Sequence, residues 1–253
     1  MKEQIEHIPI NDAMTNAGEC PFCYIERRVE DHALDYVLGS SSSYMEYDTR
    51  EMTDKAGFCR SHFKKMYDYG NSLGNAWILS THYNKIISEL ENVTKGFTPQ
   101  KTRSGLFAKK DNVPSNPIVE WVNERNKSCF ICDRVEQSFA DYIKVFFDMY
   151  KKDDEFRKKV ADTQGFCVTH FGILCEAADR ELNEKLLADF YQVIIPLMKE
   201  NLTRVRDDVD WLIQKYDYRN KDADWKTSKD ANQRAMQKLK GGYPAKETHK
   251  AKK

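Results

Sequence analysis

Apolar residues recur at three- and four-residue spacing through most of the chain, which is the period of amphipathic helices. From Cys20 this spacing predicts a helix that ends at the glycine and serine run of residues 39–43, and it predicts a second helix around residues 79–93. A longer helix is expected over residues 187–216, with a kink at Pro196, because proline removes one helical hydrogen bond. No stretch alternates strictly enough to indicate a strand. The pattern therefore predicts an all-α fold.

Breaks in the apolar pattern divide the chain into five segments. Residues 1–18 are expected to be an irregular lead-in with at most one short helix, and residues 96–117 have the glycine, proline and cation content of a solvated linker. Two helical metal-binding repeats are predicted on either side of this linker, at residues 19–95 and 118–218. Residues 219–253 are expected to form a short helix followed by a frayed basic tail.

Six of the seven cysteines and two of the six histidines belong to a pattern that occurs twice. Both copies have the form CxxC…GFCxxHF, and sliding residues 57–94 onto 165–202 without a gap also pairs the apolar positions that follow. What repeats is therefore a supersecondary unit, and two pseudo-repeated helical lobes are expected. The first copy contains Cys20, Cys23, Cys59 and His62, and the second contains Cys129, Cys132, Cys167 and His170.

Each copy supplies three thiols and one imidazole, which is the ligand number of a closed tetrahedral metal site. Cys59 and His62 are three residues apart, so both side chains fall on one face of a helix. Zinc is the preferred ion because it accepts thiolate and imidazole ligands together and has no redox demands. We therefore expect the eight residues to bind two zinc ions per chain. Four protein ligands leave no position for a water or a substrate, which favours a structural role.

The half-sites can be paired in two ways. Cys20 and Cys23 either close a site with Cys59 and His62 of the same copy, or close one with the CxxH of the other copy. Closure within each copy is expected, since the shorter loop costs roughly 1 kcal/mol less chain entropy. In addition, the unit had to fold on its own before it was duplicated. A unit that contains all four ligands of one site could fold in this way, which also favours closure within each copy.

Other kinds of chemistry remain open. Iron–sulfur clusters also bind cysteine and histidine, and the CxxC pairs resemble redox dithiols, although those follow a strand of a βαβ unit that this pattern lacks. Metal storage or sensing is a further alternative. Cys175 is expected to be a packed core residue, and the many acidic side chains on helix faces are expected to be solvated. The chain shows no phosphate loop, nucleophile elbow or HExxH motif, so a binding or adaptor module is preferred to an enzyme.

Charge and hydropathy limit the kinds of partner and the cellular location that the sequence favours. Forty basic residues balance forty acidic ones, so no net field favours nucleic acid or an anionic membrane. The sequence has no run of 18 apolar residues, and residues 1–9 lack the apolar core of a signal peptide. A cytoplasmic protein is expected, with a protein partner that the sequence does not identify. In a reducing compartment, paired cysteines bind metals more readily than they form disulfides.

The tandem CxxC…GFCxxH arrangement is followed by Tyr216-Asp217-Tyr218-Arg219 and by the segment of residues 225–239. In these features the chain resembles a bacterial family of unknown function, whose members are often labelled ABC-transporter substrate-binding proteins. The resemblance covers most of the chain. It implies no established activity and no assigned ligands, and the transporter label implies an export signal that residues 1–9 do not show.

Overall fold

A computed structural model describes residues 5–16, 18–41, 43–99 and 116–242. These residues form eleven α-helices, and they contain no strand, so the all-α prediction is confirmed. The greater part of the predicted linker and the basic tail lie outside the described residues. The helices are α1 (Ile8–Asn16), α2 (Pro21–Leu38), α3 (Tyr47–Ala56), α4 (Arg60–Tyr69), α5 (Ser72–Thr94), α6 (Pro117–Lys127), α7 (Phe130–Lys152), α8 (Asp154–Ala161), α9 (Val168–Glu181), α10 (Glu184–Lys215) and α11 (Ala231–Lys240).

The helices pack into two compact units. Unit 1 comprises Met1–Val29 together with Gln137–Lys253, and unit 2 comprises Glu30–Glu136. The boundaries fall inside α2 and α7, so each of these helices contributes residues to both units. Among the described residues, no helix is both long enough and apolar enough to span a membrane.

The core of unit 1 is rich in aromatic side chains. Phe22, which lies between the cysteines of the first CxxC, is fully buried, and its ring centroid is 5.4 Å from Phe146 and 5.8 Å from Phe166. Burying one such side chain contributes about 1.5–3 kcal/mol. The first half-site is therefore anchored in the core by the residue that its two cysteines enclose.

Unit 2 has a smaller core of the same design. Ile131, inside the second CxxC, is fully buried, and so are Val37 of α2 and Ile78 of α5. Phe58 and Phe130 pack in the same cluster, with ring centroids 6.3 Å apart. Both CxxC segments are thus held by apolar burial as well as by their place at a helix start.

The predicted ends of α2 and α10 are confirmed within one residue, whereas α5 begins at Ser72, well before the predicted residue 79. The helix after Cys20 ends at Gly39, whose N–H donates to the Asp35 carbonyl oxygen at 2.8 Å. The long helix α10 continues through Pro196 to Lys215 as one element. The predicted kink at this proline stays a prediction.

The gapless alignment of the two copies needs one correction. Asn71 begins α5, with its side chain accepting from the Gly74 N–H at 2.8 Å, and Asn183 begins α10 in the same way through the Leu186 N–H at 3.0 Å. These two caps are 112 residues apart, whereas the CxxH motifs are 108 apart. Helix α9 is therefore one turn longer than α4. The gapless alignment still matched apolar positions, because a shift of four residues changes the helix face by only about 40°.

Candidate metal centres

All four half-sites have the same local structure, a helix start. Cys20 and Cys129 come directly before the first residues of α2 and α7, and Cys59 and Cys167 are the N-caps of α4 and α9. In each case the cysteine carbonyl accepts the backbone N–H four residues later, at 2.8 to 3.3 Å. The second ligand of each half-site therefore lies in the first helical turn, on the same side as the first. The partial positive charge of a helix N-terminus favours thiolates there.

The glycine and phenylalanine before each CxxH set the direction of the chain into this helix. Gly57 and Gly165 have φ of 65° and 73°, values that a side chain disfavours. The next residues, Phe58 and Phe166, are buried. The GFC motif thus combines a backbone reversal, an apolar anchor and a ligand in three consecutive residues.

The first group of ligand atoms, site A, consists of Cys20, Cys23, Cys167 and His170, all of them buried. The Nδ1 atom of His170 lies 3.4 Å from the Cys20 Sγ, 3.5 Å from the Cys23 Sγ and 3.2 Å from the Cys167 Sγ. The Sγ atoms of Cys23 and Cys167 are 3.8 Å apart. Three thiols therefore surround one imidazole nitrogen in unit 1.

The second group, site B, consists of Cys59, His62, Cys129 and Cys132. The Nδ1 atom of His62 lies 3.2 Å from the Cys59 Sγ, 3.2 Å from the Cys129 Sγ and 3.4 Å from the Cys132 Sγ. The Sγ atoms of Cys59 and Cys132 are 3.9 Å apart. Site B in unit 2 thus repeats the arrangement of site A.

These distances fit a single tetrahedral ion. With Zn–S bonds of about 2.3 Å and Zn–N bonds of about 2.0 Å, a tetrahedron has S···S edges of roughly 3.8 Å and S···N edges of roughly 3.5 Å. In both sites all four ligand atoms lie within 4.8 Å of one another. The structure therefore brings together the eight residues that the sequence identified, in two Cys3His groups. That they hold an ion stays a prediction.

The pairing of half-sites within each copy is wrong. Cys20 and Cys23 face Cys167 and His170, and the other four ligands form site B. In α2, Glu30 lies two helical turns beyond Cys23, and it is Glu30 that contacts His62. Packing therefore places the first CxxH along the middle of α2 and not at its start. An entropy difference of roughly 1 kcal/mol between loop lengths is small beside the burial of several core side chains.

Two hydrogen bonds to main-chain carbonyls hold the two halves of site B together. The N–H of Phe130 donates to the Gly57 carbonyl at 2.9 Å, and the Ser128 hydroxyl donates to the Ala56 carbonyl at 2.8 Å. These bonds join Ser128 and Phe130, which lie on either side of Cys129, to the two residues that precede Phe58 and Cys59. One main-chain bond and one side-chain bond thereby align the two helix starts.

Site A is held together differently, by side chains from the C-terminal part of the chain. The Lys238 ammonium donates to the carbonyl oxygens of Glu19 and Gln164, the residues that lead into the two half-sites. Arg204 donates to the Glu19 carboxylate at 2.6 Å and to the Gln164 side chain at 3.3 Å. Glu19 is fully buried, so its charge is balanced by these cations. Burial lowers the pKa of Lys238, although Glu19 partly offsets this effect.

Helix α11 also brings the main chain against the sulfurs of site A. Gly241, with φ of 80°, ends this helix, and a Cβ at this position would lie 3.2 Å from the Cys167 Sγ and 3.4 Å from the Cys23 Sγ. Site B is more open, since Cys132 is exposed and Cys59 is half-buried. The two sites therefore share a ligand set but differ in their access to solvent.

A carboxylate contacts the outer nitrogen of each histidine, and the sequence did not identify either one. The Nε2 atom of His62 is 2.8 Å from the Glu30 carboxylate, and that of His170 is 3.8 Å from Glu26. Metal-binding histidines commonly donate their second N–H to such a group, which orients the ring. Glu30 is not the solvated residue that its helix pattern predicted. Lys65 also pairs with its carboxylate.

The neighbouring thiols raise the pKa of both ligand histidines. Burial disfavours the charged form of His62, but contacts with Cys129 and Glu30 outweigh it and raise the pKa of His62 to about 10. For His170 burial acts in the same direction, and Cys167 and Cys20 raise its pKa to about 10. Each site therefore attracts positive charge, and protons compete with a metal ion for the thiolates.

The thiols of site B differ in acidity. Burial opposes ionisation of Cys59, but hydrogen bonds with Ser61 and His62 lower the pKa of Cys59 to about 6. Burial and the neighbouring thiol of Cys129 raise the pKa of Cys132 to about 12. Burial opposes ionisation of Cys129 as well, but contact with His62 lowers the pKa of Cys129. Cys132 is therefore the thiol of site B that holds its proton most strongly, and a bound ion would have to displace that proton.

Cys175 belongs to neither group, as the sequence predicted. It is half-buried in α9, and its carbonyl oxygen accepts from the Tyr191 hydroxyl at 3.4 Å. Burial raises the pKa of its thiol. It is therefore not a ninth ligand, but it is half-buried and does not belong to the buried core that the sequence predicted for it.

The fold and the two groups define an all-α protein with two Cys3His candidate metal centres. The chain belongs to the family described as "Family of unknown function (DUF6062)", whose model matches residues 1–246. It is also 22% identical over 203 residues to the "Uncharacterized 23.9 kDa protein in xynA 3'region" of Caldicellulosiruptor sp. (strain Rt8B.4), a match that covers 79% of this chain and 84% of that protein. No solved structure matches the chain. The predicted membership of an uncharacterised family is confirmed, and neither description mentions transport.

Proposed function

We propose that this protein is a helical binding or adaptor module in which sites A and B each hold one structural zinc ion. The observation that carries this proposal is the presence of two Cys3His groups whose ligand atoms lie close enough together to share one tetrahedral zinc ion. Each ion would join two helix starts that are far apart in the sequence. The binding energy of the ion would then contribute directly to the stability of each unit.

The compactness of the groups supports a single ion over an iron–sulfur cluster. In a cluster the thiolates bind different iron atoms around bridging sulfides, so the ligand atoms lie farther apart than they do around a single ion. Here each set of four atoms lies within 4.8 Å. Reversible dithiol chemistry is a weaker interpretation, because each CxxC faces a histidine and a third thiol.

A closed shell also supports a structural role over catalysis. Four protein ligands fill a tetrahedron, so no coordination position is left for a substrate. Metal sensing needs an ion that exchanges, and only site B has an exposed ligand. A closed metal position therefore supports a structural or adaptor role over a catalytic one.

The experiment measures zinc in the purified protein by mass spectrometry and combines it with paired cysteine substitutions. The wild type is expected to contain two zinc ions and to be colourless. Cys20→Ser combined with Cys167→Ser is expected to leave one ion, because both residues belong to site A. Cys20→Ser combined with Cys59→Ser is expected to leave none. Cys175→Ser is the matched control and should keep both ions.

Three results would contradict the proposal. A folded wild type without metal would exclude zinc as a structural element, and a brown protein with visible charge-transfer absorption would indicate clusters. If the Cys20 and Cys59 double variant kept one ion, the half-sites would pair within each copy. Rapid removal of one ion by a mild chelator, with the fold intact, would instead favour sensing at site B.

A further inference from the structure

Helix α5 carries an apolar face that the described residues leave uncovered. Seven residues on it are spaced alternately three and four apart, and every one is exposed. Tyr83 is 63% exposed and Ile87 is 52% exposed. We call this set the α5 seam, and it consists of Leu73, Ala76, Ser80, Tyr83, Ile87, Leu90 and Thr94.

The other side of α5 holds the helix in unit 2. Ile78 is fully buried in the core, and Gly74 is also buried, against the ring of Tyr44. The Asn75 side chain donates to the Met66 carbonyl at 2.9 Å, and the Thr81 hydroxyl donates to Asp54 at 3.0 Å. The seam therefore lies on a helix that is fixed by its opposite face. Tyr83 and Leu90 belong to the apolar spacing that predicted this helix, and both are exposed.

The spacing of the seam is that of the a and d positions in a heptad repeat, by which one helix packs along another. The seam spans 22 residues, or about 33 Å of helix. Its four large apolar side chains, together with Trp77 at its edge, expose on the order of 500 Å² per copy. Two copies would therefore bury about 1,000 Å² or more, which reaches the lower bound of a specific protein interface.

We propose that the α5 seam is a dimer interface in which two copies of this protein pack their α5 helices antiparallel about a two-fold axis. In this alignment Leu73 packs on the partner's Leu90, Ala76 on the partner's Ile87, and Ser80 on the partner's Tyr83. Each small side chain thus meets a large one, and each layer occurs twice by symmetry. Close packing of this kind is what helix interfaces require.

A parallel pair would pack poorly. It would pair Ala76 with the partner's Ala76 and Ser80 with the partner's Ser80 in consecutive layers. The next layer would then contain both Tyr83 rings. Two small layers beside a large one leave a void and then overfill the next layer. The order of small and large residues along the seam therefore selects the antiparallel dimer.

The test is the molar mass in sedimentation equilibrium, where the single chain is 29.6 kDa. The wild type is expected at twice this mass. Ile87→Lys alone and Ala76→Glu alone each bury an unpaired charge, so each is expected to weaken the dimer on the order of 100-fold. Combining them places the introduced ammonium and carboxylate opposite each other in two symmetric layers, so the double variant is expected to dimerise again. Ile213→Lys, at a 64% exposed isoleucine of α10, is the matched control and should stay dimeric.

Metal content and circular dichroism of every variant check that the fold is kept. A wild type that is monomeric over the whole concentration range would overturn the proposal, and so would a dimer that Ile87→Lys leaves intact. In a parallel dimer the double variant would place like charges together and would not recover. Failure of that rescue would therefore overturn the antiparallel arrangement.

Discussion

Lys238 offers the sharpest test of how helix α11 supports site A. Its side chain is only 1% exposed, and its ammonium donates to the Glu19 carbonyl at 2.8 Å and to the Gln164 carbonyl. It also lies 3.3 Å from the Glu19 carboxylate. Lys238→Met keeps most of the apolar stem but removes the charge and all three contacts. Two carbonyl oxygens next to the half-sites would then lose a donor.

The expected cost follows from the partners that remain. Removing one partner of a buried ion pair costs about 3–5 kcal/mol. Glu19 keeps Arg204 at 2.6 Å and Arg234 at 3.5 Å, so the lower end, about 3 kcal/mol, is expected. For a chain of this length, that loss lowers Tm by roughly 6–12 °C.

The assay is urea unfolding followed by circular dichroism, together with zinc content after dialysis against a mild chelator. Lys240→Met is the matched control, because Lys240 lies two residues further along the same helix and is exposed. Its effect should stay within about 0.5 kcal/mol. An equal loss in both variants, or a loss below about 1 kcal/mol for Lys238→Met, would refute the view that the buried ammonium joins the two halves of site A.

Two further predictions concern the surroundings of the sites. Glu30→Gln should weaken zinc binding at site B by about 10- to 100-fold, because it removes the carboxylate that contacts His62 at 2.8 Å. The assay is a competition titration with a chelating dye. Glu26→Gln should weaken zinc binding at site A less, because the Glu26 carboxylate is 3.8 Å from His170 and 45% exposed. Equal losses of zinc affinity in the two variants would contradict this prediction. Gly241→Ala should accelerate zinc loss from site A, since its Cβ would press on two ligand sulfurs. Gly242→Ala, which also has positive φ but no neighbour within 4 Å, should cost only about 1–2 kcal/mol of backbone strain and leave the exchange rate unchanged.

Much of the local structure could be predicted because it depends on neighbours in the sequence. Apolar spacing identified the long helices, and the run from Gly39 ended α2 where the pattern indicated. The CxxC and CxxH spacings also have a local meaning, since in each half-site the two ligands occupy the start and the first turn of one helix. All eight candidate ligands could therefore be named without the structure.

The partners of the histidines could not be found in this way. Forty acidic residues are spread along the chain, and nothing in the pattern around Glu30 separates it from the others. Its role depends on the packing of α4 beside the middle of α2. The same holds for Lys238, a residue of a short amphipathic helix, which is buried where its ammonium contacts Glu19 and the carbonyl of Gln164.

The helical class, the eight candidate ligands and their division into four half-sites could all be derived from spacing, because each depends on residues within a few turns of one helix. Which half-sites meet depends on how the helices pack. The two CxxC segments are chemically equivalent, and the loop entropies of the alternatives differ by only about 1 kcal/mol. Burial of Phe22 and Phe166 in one core, and of Ile131 and Phe58 in the other, outweighs that difference, so Cys20 and Cys23 meet Cys167 and His170.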